Sequence, residues 1–114
     1  MARSCFLLAA IFLATTANAM SLRELRALEN SNKQGESYAL YYLIGVMEGV
    51  VDAHAHSVRL GAKPRFCIEG RRLEPRMAKA LLDAELKRNV DLYEADMPVQ
   101  LVLTNALVSV YTCS

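Results

Sequence analysis

Three residues in this chain of 114 residues combine chemically useful side chains with close spacing: Asp52, His54 and His56. Imidazole and carboxylate are good ligands for zinc and copper. In a helix, however, residues two apart point about 200° away from each other. His54 and His56 therefore cannot chelate one ion unless the helix unwinds between them, and no metal is expected there. Asp52 and His56 are four apart, a spacing suited to a local hydrogen bond on one helix face. A nucleophilic enzyme would need an activated Ser or Cys beside a base, but no G-x-S-x-G pattern occurs. No Gly-rich, phosphate-cradling loop is present either. The chain is accordingly expected not to be an enzyme and to need no cofactor.

Charge is more informative than any single residue. Arg59, Lys63, Arg65, Arg71, Arg72, Arg76 and Lys79 stand against only Glu69 and Glu74, a local excess of five positive charges. From Ala80 onward the balance reverses, with Asp83, Glu85, Asp91, Glu94 and Asp96 against Lys87 and Arg88. Such a dipolar surface can steer a charged protein partner or orient self-association. It can equally be an ordinary solvated loop. Nucleic acid is not an expected partner, because the balance over the whole chain is close to neutral.

The elements that must carry these residues begin after a leader. Met1-Ala2-Arg3 supplies one positive charge, Cys5 to Ala14 is apolar, and Ala17-Asn18-Ala19 has the A-x-A form of a signal-peptidase site. Residues 1–19 thus read as a cleavable signal peptide and residues 20–114 as one exported domain. The apolar run is far short of the roughly 20 residues that cross a bilayer, so no stable membrane insertion is expected after cleavage. Removal of Arg3 equalises the 13 basic and 12 acidic residues of the full chain. It also removes Cys5, leaving Cys67 and Cys113 as an even pair in an oxidising compartment, where they are expected to form a disulfide. Closing a loop of about 46 residues would stabilise so small a domain by roughly 4 kcal/mol on loop-entropy grounds.

In residues 20–114 the periodicity predicts four helices. Ser21-Leu22-Arg23-Glu24 has the form of a capping box, and Leu22, Leu25 and Leu28 follow at helical spacing. Asn30 to Gly35 reads as a polar loop. Glu36 to Leu60 contains no Pro and is apolar on most of its circumference, which predicts a central helix covered on several sides. Gly45 and Gly49 within it would let a neighbouring helix approach closely. Gly61 supplies a left-handed stop, and Pro64 blocks continuation. After a loop over 62–74, Pro75 suits the first turn of a third helix running to about Asn89. Its buried stripe is expected to be Met77, Leu81, Ala84 and Leu82, with Lys79, Asp83, Glu85, Lys87 and Arg88 solvated. Asp96 is the expected N-cap of a last, strongly apolar helix with Pro98 in its first turn. The fold class is therefore all-α, a small bundle of about four helices stapled by one disulfide.

Several of these features recur together in a known family. The helix containing Leu43-Ile44-Gly45-Val46-Met47-Glu48-Gly49, then Phe66-Cys67, then Ala106-Leu107 and a closing Tyr111-Thr112-Cys113 resemble the Rap/Tai immunity proteins to type VI secretion amidase effectors, over roughly residues 38–113. The chain departs from that pattern in two places. Ile68-Glu69-Gly70 and a longer basic loop stand where the family has a Pro-containing turn and a Gly-Val-Thr helix start, and Asn89-Val90-Asp91 stands in place of its His-Pro.

The resemblance implies a periplasmic protein, homodimeric as the family suggests, that binds a peptidoglycan-cleaving amidase and occludes its active site. The contacts expected on that reading are Lys63, Arg65, Glu69, Arg71 and Arg72, on a polar loop tethered by Cys67, which would lose less entropy on entering a cleft. An alternative of a different class is a helical, disulfide-containing periplasmic acid-stress chaperone of the HdeA type, which works by unfolding at low pH. A structural subunit or envelope adaptor is a third reading.

Overall fold

The computed structural model describes residues 19–114; of the expected leader, all but Ala19 lies outside the described residues. The described chain forms four α-helices, α1 (Leu22–Glu29), α2 (Lys33–Arg59), α3 (Ala78–Arg88) and α4 (Val99–Val110), with a 3₁₀ turn at Pro75–Met77 leading into α3. Among the described residues the only β feature is an isolated antiparallel bridge between Ser21 and Pro98. The all-helical expectation holds.

α1 starts at Ser21, whose hydroxyl oxygen accepts the Glu24 N–H at 3.1 Å. Only that half of the expected capping box forms, since the Glu24 carboxylate takes its hydrogen from the Ser21 hydroxyl instead of the Ser21 backbone. The helix's remaining free donors are met by a distant segment: Leu22 N–H donates to the Met97 carbonyl and Arg23 N–H to that of Ala95. Met20 takes part in the same junction. Its N–H donates to the Tyr42 hydroxyl at 3.1 Å, and its carbonyl accepts the Val99 N–H.

α2 begins two residues before the expected end of the polar loop, because Asn32 caps it by accepting the Gly35 N–H at 2.8 Å. The turn from α1 is so tight that a Cβ at Gly35 would collide with the Leu28 carbonyl and the Ser31 hydroxyl. α2 packs against α1, α3 and α4, yet its fully buried residues beyond that turn, Ala39, Leu43 and Met47, recur every fourth position on one side. The expectation of cover on several sides is thus corrected: all three neighbours share one half of the helix. Gly45 and Gly49 face outward, with nothing within 4 Å of a Cβ built on either. No helix of the described chain makes the close approach they would permit.

The end of α2 follows expectation. Gly61 adopts φ +104°, its N–H donates to the Val58 carbonyl, and the Ala62 N–H donates to that of Ser57. These two bonds are the Schellman arrangement that satisfies the last carbonyls of a helix.

α3 buries Ala78, Leu81, Leu82 and Glu85. Glu85 therefore sits in the stripe from which the sequence pattern had excluded it, while Ala84 is only partly buried. α4 starts at Val99 with Pro98 as the cap residue and no side-chain cap, so Asp96 does not cap it. The Met20 carbonyl does so from across the bridge, which makes a side-chain cap unnecessary. Val99, Val102, Leu103, Ala106 and Leu107 are fully buried, and each such Leu or Val contributes roughly 1.5–3 kcal/mol over its exposed state. They form a single core with Leu22, Leu25, Leu43, Met47, Phe66, Leu81, Leu82 and Tyr111.

Candidate partner-binding surface

The segment between α2 and the 3₁₀ turn, residues 62–74, is irregular but firmly anchored from Phe66 onward. Phe66 is buried in the core. Cys67 forms the expected disulfide with Cys113. The Cys67 N–H donates to the Tyr111 carbonyl at 2.8 Å, and the Tyr111 hydroxyl donates to the Arg72 carbonyl at 2.6 Å. Between these anchors Gly70, at φ +74°, allows a turn in which the Arg71 N–H meets the Ile68 carbonyl. From Phe66 to Arg72 the loop is fastened at so many points that it keeps its backbone shape while its polar side chains project.

Lys63, Arg65, Glu69, Arg71 and Arg72 are all exposed. Arg72 pairs with Glu74 at 2.7 Å, and Arg76 pairs with the other oxygen of the same carboxylate. Lys63, Arg65 and Arg71 make no ion pair among the described residues. Their charge is thus presented outward, available to carboxylates on another molecule, although exposed pairs of this kind contribute little to folding stability.

The structure separates the three residues that first suggested chemistry. Asp52 and His56 are exposed on the outer face of α2 without a hydrogen bond to each other. His54 lies on the loop side, where its ring stacks on Phe66 with centroids 3.8 Å apart and planes 19° from parallel. Its Nε2 accepts the Arg65 backbone N–H at 3.0 Å. Among the described residues no three His, Cys, Asp or Glu side chains converge on a point where a metal could sit. No helix among them is long and apolar enough to cross a membrane.

The sequence pattern missed His54 as an anchor of the loop, and it missed the two-ended role of Tyr111. For Tyr111 there was a signal, since an aromatic residue two before Cys113 must follow that cysteine to wherever the disulfide takes it. His54 gave none, because its partner is a backbone amide eleven residues away.

Fold and surface together define a small disulfide-stapled helical domain that presents a tethered, cationic loop. No protein-family model, curated protein or solved structure matches the chain.

Proposed function

We propose that this chain is a periplasmic immunity protein that binds a peptidoglycan-cleaving amidase effector of a type VI secretion system and occludes its active site. The observation that carries the reading is the loop over 62–74, held from Cys67 to Arg72 by the Cys67–Cys113 disulfide and Tyr111 and at Arg65 by His54, while the side chains of Lys63, Arg65 and Arg71 project without an ion pair among the described residues. Inhibition by occlusion needs a segment that enters a cleft without first losing much conformational freedom. The resemblance to the Rap/Tai proteins, carried by Phe66-Cys67, Ala106-Leu107 and Tyr111-Thr112-Cys113, supplies the class of target and, with the signal-like leader, the compartment. A homodimer belongs to the same reading.

The test is an assay of peptidoglycan cleavage by type VI amidase effectors, beginning with the product of any amidase gene that neighbours this one, with and without the purified protein. Stoichiometric inhibition that weakens when Arg65 and Arg71 are both changed to Glu supports the proposal. If the protein neither binds nor inhibits any such enzyme, but exposes apolar surface near pH 2 and keeps a client soluble, the acid-stress chaperone takes its place.

A further inference from the structure

The loop over 62–74 has two limbs, and they are held by different means. The limb after Phe66 is tied covalently by Cys67 and by both ends of Tyr111. The limb before it, from Ala62 to Arg65, is exposed; beyond the cap of α2, its only hydrogen bond is that of the Arg65 N–H to His54 Nε2. An imidazole nitrogen that accepts a hydrogen bond carries no proton, so the ring bound in this way is neutral and bears its hydrogen on Nδ1.

From this geometry we infer that His54 is a pH-sensitive latch for the first limb of the loop. A proton taken up at Nε2 converts the acceptor into a donor facing the Arg65 N–H, also a donor, and the bond cannot survive. Arg59 of α2 and Glu69 of the loop line the groove beside His54, and Lys63 and Arg65 flank Pro64, which lines it too. The groove thus carries one charge of each sign, and the contact that protonation changes is the one to the Arg65 N–H. Moving the limb outward relieves the donor–donor contact and admits water to the ring. The disulfide and Tyr111 meanwhile hold the second limb, so the opening is local. Its consequence for partner binding rests on the proposed function, because Lys63 and Arg65 ride on the limb that is released.

The experiment is a proton and nitrogen NMR titration of the labelled protein alone, from about pH 8 to about pH 5. At the upper end His54 should show the Nδ1–H tautomer, and the Arg65 amide should exchange slowly. As His54 takes up its proton, the Arg65 amide should shift with the same midpoint and lose about tenfold in protection after correction for intrinsic exchange, the factor one ordinary hydrogen bond contributes. The Cys67 amide should not change. His54→Phe, which keeps a ring to stack but offers no acceptor, should leave Arg65 unprotected at every pH, and His56→Gln should leave the transition where it is.

The inference is overturned if Arg65 stays protected while His54 is protonated, or if Cys67 and Arg65 lose protection together. The wild-type titration decides the matter even if His54→Phe does not fold. Because no partner is present, failure of the amidase reading would leave these signals as they are, and failure of the latch would leave inhibition of the amidase intact.

Discussion

Glu85 is a carboxylate at 2% exposure, and a charge in that position is tolerable only if its oxygens are satisfied. Oε1 accepts the Tyr93 hydroxyl at 2.7 Å and the Asn89 side-chain amide at 3.1 Å, while Oε2 receives the Arg88 guanidinium at 2.9 Å. Tyr93 in turn accepts the Asn105 amide at 3.0 Å, so one buried group links α3, the connection after it, and α4. Replacing Glu85 by Ala takes the acceptor from the Tyr93 hydroxyl, the Asn89 amide and the Arg88 guanidinium. We expect a loss of about 2–4 kcal/mol in urea unfolding, against about 1–2 kcal/mol for Tyr93→Phe, which removes one donor to Glu85 and the acceptor of the Asn105 amide.

The same contacts fix a pH dependence. Burial first, and the hydrogen bond to Glu85 second, raise the Tyr93 hydroxyl above its ordinary pKa of 10.0. The folded chain then holds this proton more tightly than the unfolded one. The associated stability is complete below about pH 10 and is lost as pH rises through the folded value. In Tyr93→Phe the alkaline fall in unfolding free energy should be shallower, and tyrosinate absorbance should show one late-titrating phenol fewer. If neither differs from wild type, Glu85 does not engage Tyr93 in solution.

At the level of the helices, glycines at three positions in α2 separate what spacing can reveal from what it cannot. Gly35 looked like loop chemistry, yet it lies inside the first turn of α2, where a side chain would strike the Leu28 carbonyl and the Ser31 hydroxyl. Gly45 and Gly49 looked like a packing notch, yet both face open space. The expected outcomes are therefore opposite in sign. Gly35→Ala should destabilise by about 1–3 kcal/mol, because backbone must move. Gly45→Ala and Gly49→Ala should each stabilise by up to about 1 kcal/mol through helix propensity. Thermal unfolding of the three variants distinguishes these effects. A destabilised Gly45 or Gly49 variant would mean that something covers that face in solution.

The helices themselves were legible because their apolar residues recur at helical spacing, as at Val99, Val102, Leu103, Ala106 and Leu107. The stop at Gly61 was legible because the Schellman arrangement is local. What spacing could not reveal was long-range. The cap of α4 comes from Met20, nearly the whole domain away in sequence, and the buried state of Glu85 depends on partners from Arg88 to Tyr93. Its place in the stripe was nonetheless visible, four residues after Leu81 and three after Leu82; only its charge argued against it.

Across the whole molecule, the disulfide does two separable things, and the last prediction concerns both. It closes a separation of 46 residues, for which the loop-entropy argument gives roughly 4 kcal/mol of stabilisation through the unfolded state. It also fixes residues 67–74 to the end of α4, together with the Cys67–Tyr111 and Tyr111–Arg72 hydrogen bonds. The double change Cys67→Ser, Cys113→Ser should lower the unfolding free energy by about 2–4 kcal/mol, leaving helix content by circular dichroism unchanged at low temperature. The core beneath it, Leu43, Leu82, Leu103 and Leu107, does not include either cysteine. Local mobility should rise more than global stability falls, because a loop with few buried apolar contacts opens at small free energy once its covalent tie is gone. Hydrogen exchange should therefore show the Cys67 and Arg71 amides, bonded to Tyr111 and Ile68, becoming exchangeable while those of α4 remain protected. If the loop amides stay as slow as those of α4 in the double variant, Tyr111 and Phe66 suffice to hold the loop. The disulfide would then contribute to stability without shaping the surface that a partner meets.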